Sequence, residues 1–188
     1  MNRRSASFMM FSERPVGEFL AEHNSKIQVA IQKETDDYIL NVNETEYINF
    51  LVQEFTIDIP RPLIDFDINN MLVSDYETQI DPQDYPTQFV LHFTTRQRQT
   101  VPRQVVVYHI PFTGNDKLLH LAPSHHGFQF TKVFLEDDCV YFEIINFSND
   151  STTIQREAEP MIKNIRFLWQ DLINDLEPYN THLHVQIG

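Results

Sequence analysis

A chain of 188 residues is long enough for one domain with a substantial core and short for two. Hydrophobic residues make up 41% of it and aromatic residues 12%, which is globular composition and excludes a wholly disordered chain. The formal net charge of −13 disfavours binding to nucleic acid or an anionic membrane, and a single cysteine excludes an intrachain disulfide and a cysteine-based zinc site. No apolar run approaches the roughly 18 residues of a membrane helix, so we expect a cytoplasmic protein.

The N-terminal part of the chain carries two helical patterns. Residues 12–34 follow helical spacing imperfectly, with Ser12 as a candidate N-cap, and predict one broken helix or two short ones. Residues 44–55 follow that spacing more cleanly, and Asn43 or Thr45 can cap them. The sequence IPRP comes next and stops helix formation, because proline lacks a backbone donor and restrains its predecessor.

From there to residue 147 the pattern is that of β-strands. The stretch QVVVYHI is strongly β-branched and is expected to lie in the centre of a sheet. The acidic stretch 136–138 is expected to join the last two strands as a β-hairpin. The candidate strands are residues 63–68, 71–80, 89–93, 104–110, 127–135 and 139–147.

The last element is a long amphipathic helix over residues 151–180. Ser151 or Thr152 can cap it, and Pro160 is expected to kink or restart it. Its apolar stripe either packs on the sheet as core, which we favour, or forms a coiled-coil seam with a second protomer. The stripe consists of Ile154, Ala158, Met161, Ile165, Leu168, Leu172, Leu176 and Tyr179.

These elements predict a single α+β domain over residues 1–188. Its helical N-terminal part covers residues 1–57, and a sheet of five or six mostly antiparallel strands covers residues 61–147. The long helix over residues 151–180 is expected to pack on that sheet.

Eight histidines invite the hypothesis of a metal site. His120, His125 and His126 lie close to Asp116, and three or four such donors can hold zinc or iron if they converge on one point. Their spacing permits convergence without dictating it, because His120 and His125 flank a proline in a loop. We favour exposed loop histidines and expect no metal.

Signatures of catalysis are missing from the sequence. None of the five lysines has an acidic residue or Gln two positions before it, as the common nuclease core requires. Asp65 and Asp67 form a D-x-D pattern that a strand with one wet face explains. Ser124 stands beside His125 but lacks the strand–turn–helix context of an activated nucleophile. We expect no catalytic residue and no cofactor.

One basic cluster stands out in this acidic chain. Arg96, Arg98 and Arg103 lie between two predicted strands, where forked guanidinium groups can hold a phosphate, a nucleotide or an acidic protein surface. The alternative is a solvated hairpin whose arginines pair with local acids. We predict a ligand or partner surface formed by these arginines together with Asn115 and Asp116.

Part of the sequence resembles an N-terminal, non-catalytic module of uncharacterised bacterial proteins. The resemblance rests on VPRQVVVYHIPFTGNDKLLHLAPS (residues 101–124), on Asn149-Asp150, and on the helix that ends in DLEPYN (residues 175–180). This chain departs from the pattern at Asn115, where the module commonly has an acidic residue. The resemblance implies a following effector, such as a TIR-like domain, in genes suspected of anti-phage defence.

The sequence therefore favours a non-enzymatic interaction, sensing or oligomerisation module of a bacterial defence-type system. The expected partners are another protein, an effector domain, or a second copy bound through the 151–180 helix. Two other functions stay open: a metal-dependent hydrolase that uses the loop over residues 116–126, and a small-ligand or nucleotide sensor that uses the hairpin from Arg96 to Arg103.

Overall fold

The computed structural model describes residues 6–33, 43–86, 100–127 and 129–187. Three α-helices and eight β-strands lie in these ranges, so the predicted α+β class is confirmed. The helices are α1 (Val16–Lys33), α2 (Glu44–Phe55) and α3 (Ser151–Ile187). The strands are β1 (Phe8–Met9), β2 (Arg14–Pro15), β3 (Arg61–Pro62), β4 (Leu72–Ile80), β5 (Val101–Thr113), β6 (Leu121–Ala122), β7 (Lys132–Glu136) and β8 (Cys139–Ile145).

Six of these strands form one sheet in the order β1-β7-β8-β5-β3, with β4 also paired to β5. The central strand β5 contains QVVVYHI, as predicted, and runs antiparallel to β4 and β8. Tyr108 lies opposite Val73 on one side and Phe142 on the other, and its ring stacks on that of Phe142 with centroids 5.1 Å apart. Bulky residues at the centre of the register thus align the three strands.

The predicted β7–β8 hairpin is confirmed. Glu136 pairs with Cys139, so only Asp137 and Asp138 form the turn. Their φ values of 46° and 55° are those of a tight two-residue turn, in which short polar residues tolerate the left-handed region. The strand before this turn begins at Lys132, later than predicted, and the candidate strand 89–93 lies outside the described residues.

The predicted strand over residues 63–68 is wrong. After β3 the chain forms bends and a turn, because aspartate side chains take the place of a strand partner for the backbone amides. Asp65 accepts a hydrogen bond from the amide of Asp67 at 3.0 Å, and Asp67 accepts one from the amide of Asn69 at 2.9 Å. Phe66 lies between the two aspartates with φ of 59°, which no regular strand contains.

Helix α1 is continuous, so the prediction of a broken helix is wrong. The chain before it pairs as β2 with β6 in a parallel register, and the Ser12 hydroxyl donates to the carbonyl of Met9 instead of capping a helix. Helix α2 is confirmed with its predicted cap, since the side-chain oxygen of Asn43 accepts a hydrogen bond from the amide of Thr45.

Helix α3 runs without interruption through Pro160 and continues to Ile187, seven positions past its predicted end. Pro160 lies on its exposed side, where a missing backbone donor costs least. Every member of the predicted stripe except the half-buried Met161 is buried, so the stripe belongs to the core of the chain.

The N-cap of α3 is Asp150, not Ser151 or Thr152. Its carboxylate accepts hydrogen bonds from the amides of Thr152 and Thr153 and from the Thr153 hydroxyl. The Thr153 hydroxyl, followed by the Thr152 amide, lowers the pKa of Asp150 below its usual value of 3.8.

We expect Asp150→Ala to lower the melting temperature at neutral pH through loss of this cap. A carboxyl with a depressed folded-state pKa stabilises the fold above its unfolded pKa and loses that contribution as pH falls through the folded value. The difference from wild type should therefore shrink below the unfolded value of 3.8. Thermal melts from about pH 7 to about pH 2 measure it, with the exposed Glu157→Ala as a control of little effect. A difference in melting temperature that stays constant over this pH range would contradict the role of the ionised Asp150 cap.

The chain divides into two compact units, each built from separate segments of sequence. One contains most of the six-stranded sheet, with the first part of α3 burying Ile154, Ala158 and Ile162. The other contains α1, α2, the short β2–β6 pair and α3 from Ile165 onward, with Phe11, Ile27 and Trp169 among its buried residues. That the chain is a single domain stays a prediction. None of the helices in the described ranges combines the length and apolar character that membrane crossing requires.

Candidate functional site

Of the predicted basic cluster, only Arg103 lies in the described residues. Its Nη1 donates to the carbonyl of Pro102 at 2.9 Å, and its guanidinium lies 5.6 Å from the centre of the Tyr85 ring. This cation–π contact holds the half-buried arginine against its own unit. Arg96 and Arg98 fall outside the described residues, so the ligand site predicted for the cluster stays a prediction.

Asn115 and Asp116, the other predicted binding residues, form a turn. The Asn115 side chain accepts a hydrogen bond from the amide of Lys117, and the Asn115 amide donates to the carbonyl of Asp58 at 3.0 Å. Asp116 then opens the 3-10 helix Asp116–His120. Asp can make the same side-chain contact as Asn at such a turn position.

The three candidate metal ligands have separate hydrogen-bond partners. Nδ1 of His120 lies 2.8 Å from a carboxylate oxygen of Glu13, and Nδ1 of His126 donates to the carbonyl of Pro123 at 2.7 Å. Nδ1 of His125 lies 3.2 Å from the Ser124 hydroxyl. Within the described ranges, no group of three or more His, Cys, Asp or Glu side chains is placed to hold a metal ion.

Ser124, His125 and Asp175 are the residue types of a catalytic triad, but their order in space is different. The Ser124 hydroxyl donates directly to Asp175 at 2.6 Å, and the Ser124 amide donates to the same carboxylate at 2.7 Å. In a triad the histidine lies between the serine and the acid and takes the serine proton. Here Asp175 accepts hydrogen bonds from both the hydroxyl and the amide of Ser124. The contact therefore fixes the loop at Ser124 to α3.

Cys139 also has a histidine neighbour that the sequence did not indicate. Its Sγ lies 3.9 Å from Nδ1 of His109, whose Nε2 lies 2.7 Å from the Ser74 hydroxyl. Burial raises the pKa of the Cys139 thiol and lowers the pKa of His109, so both groups are held neutral. A protonated thiol is a poor nucleophile, which argues against catalysis by this pair.

Residues of α3, among them Glu177 and Asn180 of the DLEPYN segment, hold the chain that leads from α2 into β3. Asn180 forms hydrogen bonds with both the amide and the carbonyl of Ile57, at 2.9 and 2.8 Å. Glu177 pairs with Arg61 at 2.7 Å, and the indole of Trp169 donates to the carbonyl of Pro60 at 3.0 Å. Glu177 and Asn180 of the DLEPYN motif thus have a structural role, because they bind the segment of chain before and at the start of β3.

The described surface also contains an open groove between α1 and α2, which we call the α1–α2 groove. Its volume is about 640 Å³. Two apolar side chains stay largely exposed along it, Phe50 at 59% and Val29 at 48%. A smaller depression of about 350 Å³, lined by Phe50, Gln53 and Glu54, adjoins the same ring. The lining residues are Glu22, Ser25, Lys26, Val29, Ala30, Lys33, Phe50, Leu51, Glu54 and Phe55.

Sequence reasoning missed this groove. The signal was Phe50, a large aromatic residue that falls outside the apolar spacing of Tyr47, Leu51 and Phe55 on α2. Contiguous exposed apolar surface can mark a binding site, and Phe50 forms such surface together with Val29 along the groove. The spacing alone did not reveal that α1 forms the other wall.

Comparison with known proteins adds no relative. No protein-family model matches the chain, and no curated protein or solved structure is similar to it at a significant level. We infer function from the contacts and charges of the described residues.

Proposed function

We propose that this chain is a non-enzymatic interaction module that binds other protein chains through the α1–α2 groove. One observation carries the proposal: the Phe50 ring is 59% exposed beside a groove of about 640 Å³. Aromatic side chains are enriched at protein–protein interfaces, and exposed apolar surface around a groove can mark an interaction site. The resemblance to an effector-linked module favours a role in a bacterial defence-type system, and we include that role in the proposal.

The composition of the groove supports a protein as the ligand. Val29, Ala30 and Phe50 provide apolar surface, and Lys33 and Glu54 add charge of both signs. An apolar centre with a charged rim is typical of interfaces in which helices pack on each other. A small polar ligand would need several convergent hydrogen-bonding groups in an enclosed cavity, and this groove is open.

The side chains with catalytic potential support the non-enzymatic part of the proposal. Asp175 binds Ser124, and Glu13 lies against His120. Burial raises the pKa of the Cys139 thiol, which disfavours the nucleophilic thiolate. These contacts are those of a packed scaffold, because each group already has a structural partner.

Phe50→Glu is expected to abolish partner binding without unfolding the chain, because it places a charge in an apolar contact and changes a side chain that is exposed. Binding is measured between the purified chain and two defined candidates: a second copy, and proteins encoded by neighbouring genes. Phe167→Glu is the matched control, since Phe167 is 56% exposed on α3 and does not line the groove.

The proposal predicts a partner that binds the wild type and Phe167→Glu equally, and binds Phe50→Glu at least about a hundredfold more weakly. A partner that binds all three proteins equally would contradict it. So would stoichiometric zinc, manganese or iron in the purified protein that is lost in His120→Ala.

A further inference from the structure

We infer that the occupant of the α1–α2 groove is a second copy of this chain, packed about a two-fold axis. This inference rests on the proposed function and names its partner. It places self-association on α1 and α2, because the apolar stripe of α3 is already buried within the chain.

The position of Glu54 along the groove follows from a contact between the two helices. The carbonyl of Phe55 lies 3.1 Å from Nε2 of His23, and the rings of the two residues are 5.9 Å apart. Glu54 therefore lies at the His23 end of the groove. Lys33 lies ten positions after His23 on α1, which is about 15 Å along the helix axis at 1.5 Å per residue. The groove has an acid at one end and a base at the other.

These two charges have no ion-pair partner in the described part of the chain. The other two charges of the groove do: Glu22 accepts Lys26 at 2.7 Å and Arg14 at 2.8 Å. Those hydrogen bonds, from Lys26 first, lower the pKa of Glu22 to about 2. Lys33 and Glu54 are therefore the groove charges that can pair with an incoming surface.

A second copy matches them by symmetry. A two-fold axis through the middle of the groove brings Lys33 of each copy to Glu54 of the other, so the same ion pair forms twice. The apolar side chains between the two ends, Val29 and Phe50, then face their own counterparts. Each copy covers the exposed apolar surface of the other, which is the main gain of such an interface.

The charge of the whole chain points to the same surface. Two copies with a formal charge of −13 each repel at most approaches. The groove is lined by two acids, Glu22 and Glu54, and two bases, Lys26 and Lys33, so its own charge sums to zero. A neutral patch on an acidic chain is where a second copy meets least repulsion.

Charge exchange tests this inference directly. Lys33→Glu alone and Glu54→Lys alone each place like charges at both ends of the dimer, and each should weaken it about tenfold or more, as measured by sedimentation. An equimolar mixture of the two variants should form a heterodimer of wild-type affinity, because every pair across the interface is then opposite in sign. The double variant should also regain the wild-type dimer.

Each outcome has a meaning. Loss in both single variants with recovery in the mixture supports the two-fold dimer. A wild-type chain that stays monomeric at high concentration overturns the inference, and the proposed function then stands or falls on binding of a different protein that Phe50→Glu abolishes. A dimer that neither single variant weakens also overturns it, since the copies then meet at another surface.

Discussion

Replacing Gly114 by alanine is expected to destabilise this protein strongly. Gly114 has φ of 95°, a conformation that L-residues rarely adopt. A Cβ at this position would lie 2.5 Å from the Ile59 carbonyl oxygen and 2.9 Å from the Pro60 Cα. Both atoms belong to the backbone, which the Trp169 and Asn180 contacts hold in place. We expect a loss of about 4 kcal/mol or more, a large share of the roughly 5–15 kcal/mol of a typical domain.

Chemical denaturation followed by circular dichroism measures this loss. Gly17→Ala is the matched control, because Gly17 lies near the start of α1 and a Cβ at that position would meet nothing within 4 Å. That change should raise stability by up to about 1 kcal/mol through helix propensity. Equal stability of Gly114→Ala and the wild type would contradict the close approach of the Gly114 turn to residues 59 and 60.

Trp169→Ala is the second substitution that we expect to lower the free energy of unfolding strongly. Trp169 is fully buried, its ring lies edge-on to Phe11 at 5.9 Å, and its indole N–H donates to Pro60 at 3.0 Å. Truncation leaves a cavity and an unpaired carbonyl, so we expect a loss of about 3–5 kcal/mol in the free energy of unfolding. Trp169→Phe retains most of the packing and removes the donor, and should cost about 1–3 kcal/mol.

Phe167→Ala, two positions earlier on the same helix, is the control for these variants. Its side chain is 56% exposed, so its removal should change stability by less than about 0.5 kcal/mol. Urea titrations of the three variants under one set of conditions give the comparison. If Trp169→Ala unfolds at the same midpoint as Phe167→Ala, then the tryptophan does not anchor the segment before β3.

The elements that the sequence predicted well are those with local periodicity. The apolar stripe of α3 repeats over many turns, and the β-branched run of β5 needs no partner to be recognised as a strand. The β7–β8 hairpin was also predictable, because two aspartates between apolar runs favour a tight turn. These features determine the fold class.

The wrong predictions came from hydrogen bonds that compete with the predicted helix or strand. The spacing of apolar residues in the sequence does not reveal such bonds. Residues 63–68 alternate like a strand, yet Asp65 and Asp67 bind nearby backbone amides and form turns. Ser12 was predicted to cap a helix, but the chain that follows it forms β2 and pairs with β6. In both places a contact with another backbone group decided the local structure.

The candidate site was harder to predict than the fold, because it depends on which helices lie side by side. Phe50 lies off the apolar spacing of α2 and was not identified as a site residue, and the groove also requires Val29 and Lys33 from α1. The Cys139–His109 contact likewise needs the register of β5 against β8, in which Pro111 lies opposite Cys139. Tertiary contacts of this kind leave no fixed spacing in a single sequence.

The central claim is that this chain pairs with a second copy of itself through the α1–α2 groove. Light scattering of the wild type and Phe50→Glu over a range of concentrations tests it most directly. We predict that the wild type approaches twice the mass of one chain as concentration rises, and that Phe50→Glu keeps the mass of one chain throughout. A substituted chain that still doubles its mass at the wild-type concentration would contradict the claim.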